Sequence, residues 1–210
     1  MIYKNTIKRL IDFLLSVIGM IILSPLFLVI YCILALNYKG SPFFYQIRAG
    51  KNGKEFKIVK FKTMNNLKDA NGNLLSDKER ITRIGSFLRK TSLDEIPQLI
   101  NVFKGEMSLI GPRPLYMKYL PYYTEEESLR HSVRPGITGL AQISGRNLIG
   151  WDIRLKKDVE YVEKLSFLLD VKILFKTVQK VLLVKDIAID EESGVFDLDE
   201  ERQNKIFKAK

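Results

Sequence analysis

Phe13 to Leu36 form a run of 24 residues without a charged side chain, and this run limits what the 210-residue chain can fold into. A straight helix of this length would reach roughly 36 Å, at about 1.5 Å per residue, which is enough to cross a bilayer. The run is too long for a signal peptide, and no clear small-residue cleavage site follows it. It therefore predicts a membrane element, of which the plainest form is a single transmembrane anchor.

Two details favour a re-entrant helix, which enters the membrane and returns to the same side, over that anchor. Ser24-Pro25 lies at the centre of the run, where proline removes a backbone hydrogen bond and predicts a kink. Ser24 is placed to satisfy the carbonyls that Pro25 frees. A spanning helix would also carry one basic flank across the membrane, against the positive-inside tendency. These flanks hold Lys4, Lys8 and Arg9 before the run, and Lys39, Arg48, Lys51 and Lys54 after it.

Charge and composition narrow the classes of function. The net charge is +10, and because residues 186–210 carry eight acids and four bases, residues 1–185 carry +14. Such an excess suits anionic lipid, a phosphorylated substrate or nucleic acid. Nucleic acid is not expected, since no zinc-ligand set or known binding motif accompanies the charge. With only Cys32 and His131, a disulfide framework and a Cys/His zinc site are excluded, and Cys32 is expected to be a buried, inert thiol.

The rest of the chain is expected to fold as an α+β domain, mainly helical, with one small β-hairpin. Alternating apolar side chains around an Asn-Gly turn predict the hairpin. The expected elements are a hairpin over 41–62, a polar loop over 65–78, helices over 79–90, 94–104, 115–130, 152–164 and 167–185, and a turn-rich segment over 131–150. Residues 186–210 form an acidic tail that is expected to be poorly ordered.

The helix predicted over 167–185 is amphipathic. Its apolar residues recur at helical spacing, while Lys172, Lys176 and Lys180 form a stripe four residues apart on another face. Packing against the core explains this pattern. An interfacial position on anionic lipid explains it equally well, because an apolar run at the N-terminus already indicates a membrane.

Asp94 and Glu95 are the candidate catalytic carboxylates, at the start of a predicted helix. With Ser92 as the N-cap, Glu95 completes a capping box; with Asp94 as the N-cap, Pro97 falls at a position that tolerates proline better. In either register the acids lie near the positive end of the helix dipole, which favours their ionised form. Capping alone explains acids at such a position, so the local pattern by itself favours a structural role.

Several longer segments resemble the monotopic phosphoglycosyl transferases, the bacterial sugar transferase family that begins glycoconjugate assembly on polyprenyl phosphate. The matching segments follow one another in order over about residues 4–185. They are Lys8-Arg9-x-x-Asp12, Ser24-Pro25, FFYQIRAG (43–50), FKIVKFKTM (56–64), TRIGSFLRKTSLDEIPQLINVFKGEMSLIGPRP (82–114) and RPGITGLAQISGRN (134–147). Within the family, the chain is similar to the small single-domain members, including those of Campylobacter protein N-glycosylation.

The resemblance implies a reaction and assigns roles to residues. It implies transfer of a sugar-1-phosphate from a UDP-sugar to polyprenyl (undecaprenyl) phosphate with release of UMP, dependence on Mg²⁺, and a covalent phosphosugar intermediate. Asp94 would be the nucleophile, and Glu95 a metal ligand or general base. The basic residues of the matching segments are candidates for binding the substrate phosphates, namely Lys60, Arg89, Arg113 and Arg146. Arg113 lies between two prolines that stiffen its backbone, although a plain surface turn fits it equally well.

The predicted organisation has three parts: a re-entrant membrane helix over 1–38, a cytosolic catalytic domain at the membrane interface over 39–185, and the acidic tail over 186–210. The expected location is the cytoplasmic face of the bacterial inner membrane, in contact with its lipid. The sequence does not decide between a monomer and a homodimer. Two alternatives are direct attack of the lipid phosphate on the UDP-sugar in a ternary complex, and a membrane scaffold without catalysis. Walker A and Rossmann glycine patterns are absent, which argues against an NTPase or a dehydrogenase.

Overall fold

The computed structural model describes residues 3–38, 40–145, 149–183 and 197–208, and it confirms the α+β, mainly helical class. Four short strands form two separate two-stranded sheets among the helices of this part of the chain. The strands are β1 (Phe43–Ala49), β2 (Glu55–Phe61), β3 (Ser108–Ile110) and β4 (Gly136–Thr138). The α-helices are α1 (Lys8–Tyr38), α2 (Asp77–Arg80), α3 (Arg83–Lys90), α4 (Leu99–Lys104), α5 (Glu125–Ser128), α6 (Leu140–Ser144), α7 (Trp151–Glu163), α8 (Phe167–Leu182) and α9 (Leu198–Lys208).

The apolar run forms α1, which continues through Pro25. The carbonyl that Pro25 leaves without its amide partner is that of Ile21, and the Ser24 hydroxyl donates to it at 2.8 Å. Among the described residues, α1 is the one helix long and apolar enough to cross a membrane, and little of its most apolar stretch is buried. The prediction for Cys32 was wrong, because this thiol lies on the exposed side of α1.

One face of α1 contacts the rest of the molecule along the whole helix. Near its start, the Asp12 carboxylate accepts a hydrogen bond from the Leu109 amide at 3.1 Å. Near its end, Leu34 is fully buried, and the Tyr38 hydroxyl lies 3.0 Å from that of Thr82. The opposite face exposes a row of large apolar side chains at helical spacing, namely Leu10, Leu14, Ile18, Ile21, Ile22, Val29, Ile33 and Leu36.

The predicted hairpin is confirmed as the antiparallel pair β1–β2, in which Phe43 pairs with Phe61 and Ala49 with Glu55. Its turn includes Asn52 at φ 57° and Gly53 at φ 70°, the left-handed conformations that Asn and Gly tolerate. Phe61 belongs to a core cluster that includes Ile30 and Leu34 of α1, so the hairpin is fixed against the apolar helix.

The helix predicted over 79–90 is divided into α2 and α3. Thr82 separates the two as the N-cap of α3, and its hydroxyl accepts the Gly85 amide at 3.0 Å. A Cβ atom on Gly85 would lie 1.8 Å from the Thr63 carbonyl oxygen, so only glycine permits this approach of α3 to the hairpin. The next helix ends where predicted, because Gly105 takes the left-handed conformation (φ 84°) after Lys104.

The continuous helix predicted over 115–130 was wrong. The segment forms a 3₁₀ turn over Met117–Tyr122, the short α5 and a second 3₁₀ turn over Leu129–Ser132. Pro121 lies within the first turn, and Thr124 starts α5 with its own capping box. The turn-rich segment over 131–150 contributes α6 and also β4, which pairs in parallel with β3. No pattern in these three-residue strands distinguished them from loops.

The helices predicted over 152–164 and 167–185 correspond to α7 and α8. In α8 only one side is buried, where Ile173 is fully covered and Asp170 accepts from Lys8 and Tyr161. Leu169 packs beside Ile173, but most of the other apolar side chains described for the helix are exposed, namely Phe167, Leu168, Val171, Leu174, Phe175 and Val178. Core packing therefore does not explain the apolar stripe of α8.

The tail was expected to be poorly ordered, and its described part differs from that expectation. Residues 198–208 form α9, and Leu198 is fully buried in a cluster with Tyr119 and Trp151. Asp197 accepts hydrogen bonds from the Lys118 ammonium at 2.6 Å and the Tyr119 hydroxyl at 2.8 Å. The acids that indicated disorder are thus partners for basic and phenolic groups of the domain. Residues 184–196 lie outside the described part.

Candidate active site

Asp94 and Glu95 lie in the first turn of a 3₁₀ helix over Leu93–Gln98 that continues directly into α4. Neither capping register predicted from the sequence is formed. Ser92 is at the N-cap position with φ 57° and ψ 18°, and it makes no side-chain capping bond. A left-handed serine is strained, and such strain is characteristic of functional sites. The two acids are therefore not explained by capping.

Contacts between α4 and the hairpin hold the acids against strand β2. The side-chain oxygen of Asn101 accepts the Val59 amide at 3.2 Å, and its amide nitrogen donates to the Lys57 carbonyl at 2.8 Å. Because side chains alternate along a strand, Lys60 then extends from β2 toward the acids. Its ammonium lies 2.6 Å from Glu95 Oε1 and 3.9 Å from Asp94 Oδ2.

Glu95 is a mostly covered carboxylate, with its side chain 16% exposed, and two cations keep it ionised. Its Oε1 atom accepts from Lys60 and, at 3.2 Å, from the Arg113 guanidinium. Burial alone would raise the pKa of Glu95, but the charges and hydrogen bonds of Lys60 and Arg113 outweigh it and lower the pKa well below the usual range. Glu95 is therefore an anion that anchors cations and is a poor proton acceptor.

Asp94 has the opposite character. Burial, followed by repulsion from Glu95, outweighs the attraction of Lys60 and raises the pKa of Asp94 to about 6. Within the described residues no hydrogen bond reaches its carboxylate oxygens, and its nearest ion-pair partner is Lys60 at 3.9 Å. At neutral pH, Asp94 is thus an ionised carboxylate that is poorly solvated, which is a suitable state for a nucleophile.

The structure brings three of the four predicted phosphate-site residues to this pair. Lys60 and Arg113 contact Glu95 directly. Arg89 donates to the Thr63 hydroxyl at 3.0 Å, and its positive charge acts on Asp94. Arg146 lies outside the described residues.

The backbone of Arg113 is held by a buried ion pair that the sequence pattern did not predict. Arg130 and Asp158 are both buried and meet at 2.8 Å. The same Arg130 nitrogen donates to the Arg113 carbonyl at 2.6 Å. The backbone of Arg113 is thereby fixed, while its side chain remains partly exposed next to Glu95. This arrangement differs from a plain surface turn.

Two further arginines, also missed, extend the positive surface beyond Arg113. The Arg48 guanidinium lies 3.6 Å from the ring centroid of Tyr116, and that of Arg154 lies 4.3 Å from Trp151. Burial lowers the pKa of both arginines, and the positive charge of Arg113 lowers both pKa values further. Arg48 lies in the FFYQIRAG segment that matches the family, so the sequence could have identified it as a site residue. Arg154 lies in an ordinary helical pattern that gives no such indication.

His131 does not take part in this site. Burial and the charge of Arg130 lower the pKa of His131 to about 4, and one ring nitrogen lies 3.2 Å from the Gly50 carbonyl. A neutral histidine fixed on a backbone carbonyl serves packing.

A buried carboxylate pair faced by Lys60, Arg89 and Arg113, on a helical domain joined to one long apolar helix, defines an enzyme site for an anionic phosphorylated substrate. Comparison with known proteins agrees with this class. A family model described as "Bacterial sugar transferase" matches residues 3–184. The chain belongs to the bacterial sugar transferase family, as the matching segments of the sequence implied.

Relatives of known name show the breadth of this family. The chain is 48% identical over 181 residues to an uncharacterized sugar transferase, EpsL, of Bacillus subtilis (strain 168), which covers 86% of this chain and 90% of that protein. It is 40% identical over 188 residues to the UDP-glucose:undecaprenyl-phosphate glucose-1-phosphate transferase of Klebsiella pneumoniae. It is also 40% identical over 194 residues to the undecaprenyl-phosphate galactose phosphotransferase of Salmonella typhimurium. The last two matches cover 85% and 84% of this chain and 40% of each of those proteins.

Proposed function

We propose that this protein is a phosphoglycosyl transferase that moves a sugar-1-phosphate from a UDP-sugar to undecaprenyl phosphate at the cytoplasmic face of the bacterial inner membrane. The products are undecaprenyl-diphosphate-sugar and UMP, and the reaction is the first membrane step of glycoconjugate assembly. The relatives named above, whose names state reactions on undecaprenyl phosphate, support the acceptor. They differ in their sugar, glucose in one and galactose in the other, so the sugar is left open.

The observation that carries the proposal is the unequal carboxylate pair. Glu95 is ionised and holds Lys60 and Arg113, whereas Asp94 is buried with a raised pKa and makes no close ion pair. A membrane scaffold has no need for a poorly solvated carboxylate beside several fixed cations. A transferase that attacks a diphosphate needs both.

The pair supports a reaction in two displacements. A carboxylate oxygen of Asp94 attacks the phosphorus next to the sugar, and the bond from that phosphorus to the bridging oxygen breaks, so that UMP leaves with the electron pair. The resulting acyl phosphate carries the sugar. An oxygen of undecaprenyl phosphate then attacks the same phosphorus and returns the Asp94 carboxylate. The acceptor is already an anion, so Glu95 need not act as a base.

The cations act on the charge that develops in each displacement. Lys60 and Arg89 flank Asp94, and Arg113 is presented beside them on a fixed backbone. Donors that are positioned in advance stabilise phosphoryl oxygens without reorganisation during the reaction. Arg113 and the neighbouring Arg48 and Arg154 extend the positive surface beyond the carboxylate pair, which suits a diphosphate substrate.

The residues of the site fit a Mg²⁺ ion shared with the substrate. The described residues contain no cluster of three or more Cys, His or acidic ligands. Mg²⁺ does not need one, because it is usually bound through one or two carboxylates together with substrate phosphates. The low pKa of Glu95 keeps its carboxylate anionic, and its Oε1 atom alone accepts from Lys60 and Arg113. Glu95 would hold the ion through Oε2, and the ion would neutralise charge on the diphosphate.

Packing of α1 supports a monotopic, re-entrant arrangement. A 31-residue helix is about 46 Å long, so a spanning helix would carry one end far from the catalytic domain. Instead, both ends touch that domain, at Asp12 with Leu109 and at Tyr38 with Thr82. The exposed apolar face of α1 and that of α8 would lie in lipid, which brings the site to the surface where undecaprenyl phosphate resides.

The reaction is tested by UMP release from a panel of UDP-sugars, with and without undecaprenyl phosphate. We expect one or a few sugars to give UMP at substrate level only when the acceptor is present. Absence of UMP with every UDP-sugar would reject the proposal in favour of the scaffold.

The covalent step is tested separately, by incubating the enzyme without acceptor and with a UDP-sugar labelled in the sugar. We expect label on the protein in an amount near one per active site, lost on addition of undecaprenyl phosphate. Turnover without any labelled protein would favour direct attack in a ternary complex.

A further inference from the structure

A second positively charged site lies away from the carboxylate pair, at the start of α1. It is a solvent-open cavity between the beginning of α1, the turn of the hairpin and the residues that precede β4, and its empty space of about 370 Å³ includes open solvent. Its lining contains five cations and one carboxylate, namely Lys4, Lys8, Arg9, Lys51 and Arg134 with Asp12. None of Asp94, Glu95, Lys60, Arg89 and Arg113 lines it.

Most of this charge is not neutralised by the described part of the chain. The Lys8 ammonium is paired with Asp170 at 2.7 Å, and Asp12 is engaged by the Leu109 amide. Among the described residues, no carboxylate forms an ion pair with any of the other four cations, Lys4, Arg9, Lys51 and Arg134. A group of four such cations on one cavity is a potential anion site.

Two of these cations are fixed close together. Arg9 donates to the carbonyls of Val102 and Phe103 at 2.6 and 2.8 Å, and Arg134 donates through Nε to the Gly105 carbonyl at 2.7 Å. These carbonyls lie at the C-terminal end of α4, the negative end of the helix dipole, which attracts a cation. A second arginine is repelled by the first, and burial together with that repulsion lowers the pKa of Arg9.

The remaining donors of the cavity suit a phosphate group. A guanidinium has more N–H donors than the one or two used here, so Arg9 and Arg134 retain N–H groups for an anion. The hydroxyl of Ser132, which also lines the cavity, is buried and has no hydrogen-bond partner in the part of the chain that the structure describes. Phosphate oxygens would accept from all three side chains.

The position of the cavity indicates where such a phosphate comes from. The cavity opens where α1 begins, and Leu165, two residues before α8, lines it. The first exposed apolar residues of these helices, Leu10 in α1 and Phe167 in α8, follow directly. A cation cluster at the level where two apolar faces begin lies at the depth of lipid headgroups.

We propose that this cavity binds the phosphate group of an anionic phospholipid and thereby holds the start of α1 at the membrane surface. This inference rests on the membrane placement proposed above. A zwitterionic lipid fits less well, because the one carboxylate of the lining, Asp12, is already engaged and offers nothing to a choline or ethanolamine cation.

The test measures thermal unfolding of the purified full chain in detergent, titrated with dioleoyl phosphatidylglycerol, dioleoyl phosphatidylcholine or inorganic phosphate. We expect a saturable rise of Tm with phosphatidylglycerol and a much smaller one with phosphatidylcholine. The variant Lys4→Gln/Lys51→Gln removes two exposed cations of the cavity without a known fold role. It should need at least about tenfold more phosphatidylglycerol for half of the effect.

A matched control and a second variant separate this site from general charge. Lys90→Gln/Lys156→Gln removes the same charge outside the cavity and should behave as the unaltered protein. Arg134→Lys keeps the charge but loses the planar fork, and should weaken the response while the protein still folds. Equal responses of the Lys4/Lys51 and Lys90/Lys156 variants would overturn the proposal, and so would a full response to inorganic phosphate alone. UMP release measured in the same preparations reports on the transferase reaction separately.

Discussion

Asp94 and Glu95 are neighbours in the chain, yet their surroundings shift their pKa values in opposite directions. Lys60 and Arg113 lie within hydrogen-bond distance of Glu95. Asp94 is buried, and its nearest ion-pair partner lies 3.9 Å away. The sequence placed both acids near a helix start and predicted ionised carboxylates for both. The local pattern could not distinguish their roles, which only the family resemblance assigned. The difference depends on Lys60 and Arg113, which are distant in sequence and reach the acids only through the packing of β2 and the Arg130–Asp158 pair.

The first prediction concerns the nucleophile. Asp94→Asn keeps the size of the side chain but removes its charge and nucleophilicity, so UMP release should fall by more than about a thousandfold. Unfolding temperature and membrane extraction should stay near those of the unaltered protein. Substantial UMP release by a folded Asp94→Asn enzyme would assign the reaction to another residue.

The pKa of Asp94 gives a second prediction, on pH dependence. The ionised form attacks, so the rate of adduct formation should rise with pH through about 6 and level off above it. Well below that pKa, the rate should fall about tenfold for each pH unit. Single-turnover labelling without acceptor isolates this step, since the diphosphate of a UDP-sugar does not titrate near neutrality. A flat profile from pH 5 to 8 would contradict the raised pKa.

Arg113 supplies the third prediction. Its side chain is 42% exposed, so Arg113→Ala should leave folding intact. Loss of a charge-assisted hydrogen bond to a phosphate costs about 1.5–3 kcal/mol, which corresponds to a roughly 10- to 150-fold lower kcat/KM for the UDP-sugar. Lys90→Ala, a nearby cation without a contact to the carboxylate pair, serves as the control. Equal kinetics of the two variants would mean that Arg113 occupies an ordinary turn.

At the scale of helices and strands, the sequence predicted best where a periodic pattern or a strong boundary residue was present. The hairpin, the end of α4 at Gly105 and the helices α7 and α8 follow such patterns. The segment 115–130 lacks them: Pro121 and Thr124 divide it, and its turns are fixed by the ion pair of Arg130 with Asp158 and by contacts with α9. Those contacts come from other parts of the chain, which local patterns do not report.

The fourth prediction concerns α8, whose apolar side chains are exposed. A nitroxide label at Phe175→Cys, in a Cys32→Ser background in nanodiscs, should be reached more readily by oxygen than by a water-soluble nickel complex, because this face lies in lipid. A label at Lys176→Cys, about 100° around the helix, should show the reverse preference. Preference for the nickel complex at both positions would place the face in water.

At the scale of the whole molecule, buried polar contacts join α1 and α8, the two helices with exposed apolar faces. Lys8 of α1 is bound to Asp170 of α8, and Tyr161 of α7 donates to the same carboxylate at 2.8 Å. The apolar helix α1 is therefore joined to the rest of the described chain through buried polar contacts, not only through apolar packing. Composition indicated a membrane, and the matching segments indicated the family, but this joining of α1 to α8 required the packing of residues over 160 positions apart.

The fifth prediction concerns topology, for which the helix length and its contacts lead to different expectations. Length alone allows α1 to span the bilayer. Contacts at both of its ends with one domain favour both ends on the same side, and the basic residues on both flanks favour the cytoplasmic side. In a Cys32→Ser background, probe cysteines at Thr6 and at Lys54 should both resist labelling by an impermeant maleimide in intact spheroplasts and react after lysis.

The variant Ser24→Ala/Pro25→Leu provides the comparison for this test. It restores the amide donor at position 25, removes the proline ring and the Ser24–Ile21 hydrogen bond, and so favours a straight helix that is long enough to span. Part of the population should then expose Thr6→Cys to the outside, while Lys54→Cys stays protected because it belongs to the catalytic domain. Labelling of Thr6→Cys from outside in the protein with Ser24 and Pro25 intact would establish a transmembrane anchor, and the contacts of Asp12 with Leu109 could then not form in the membrane.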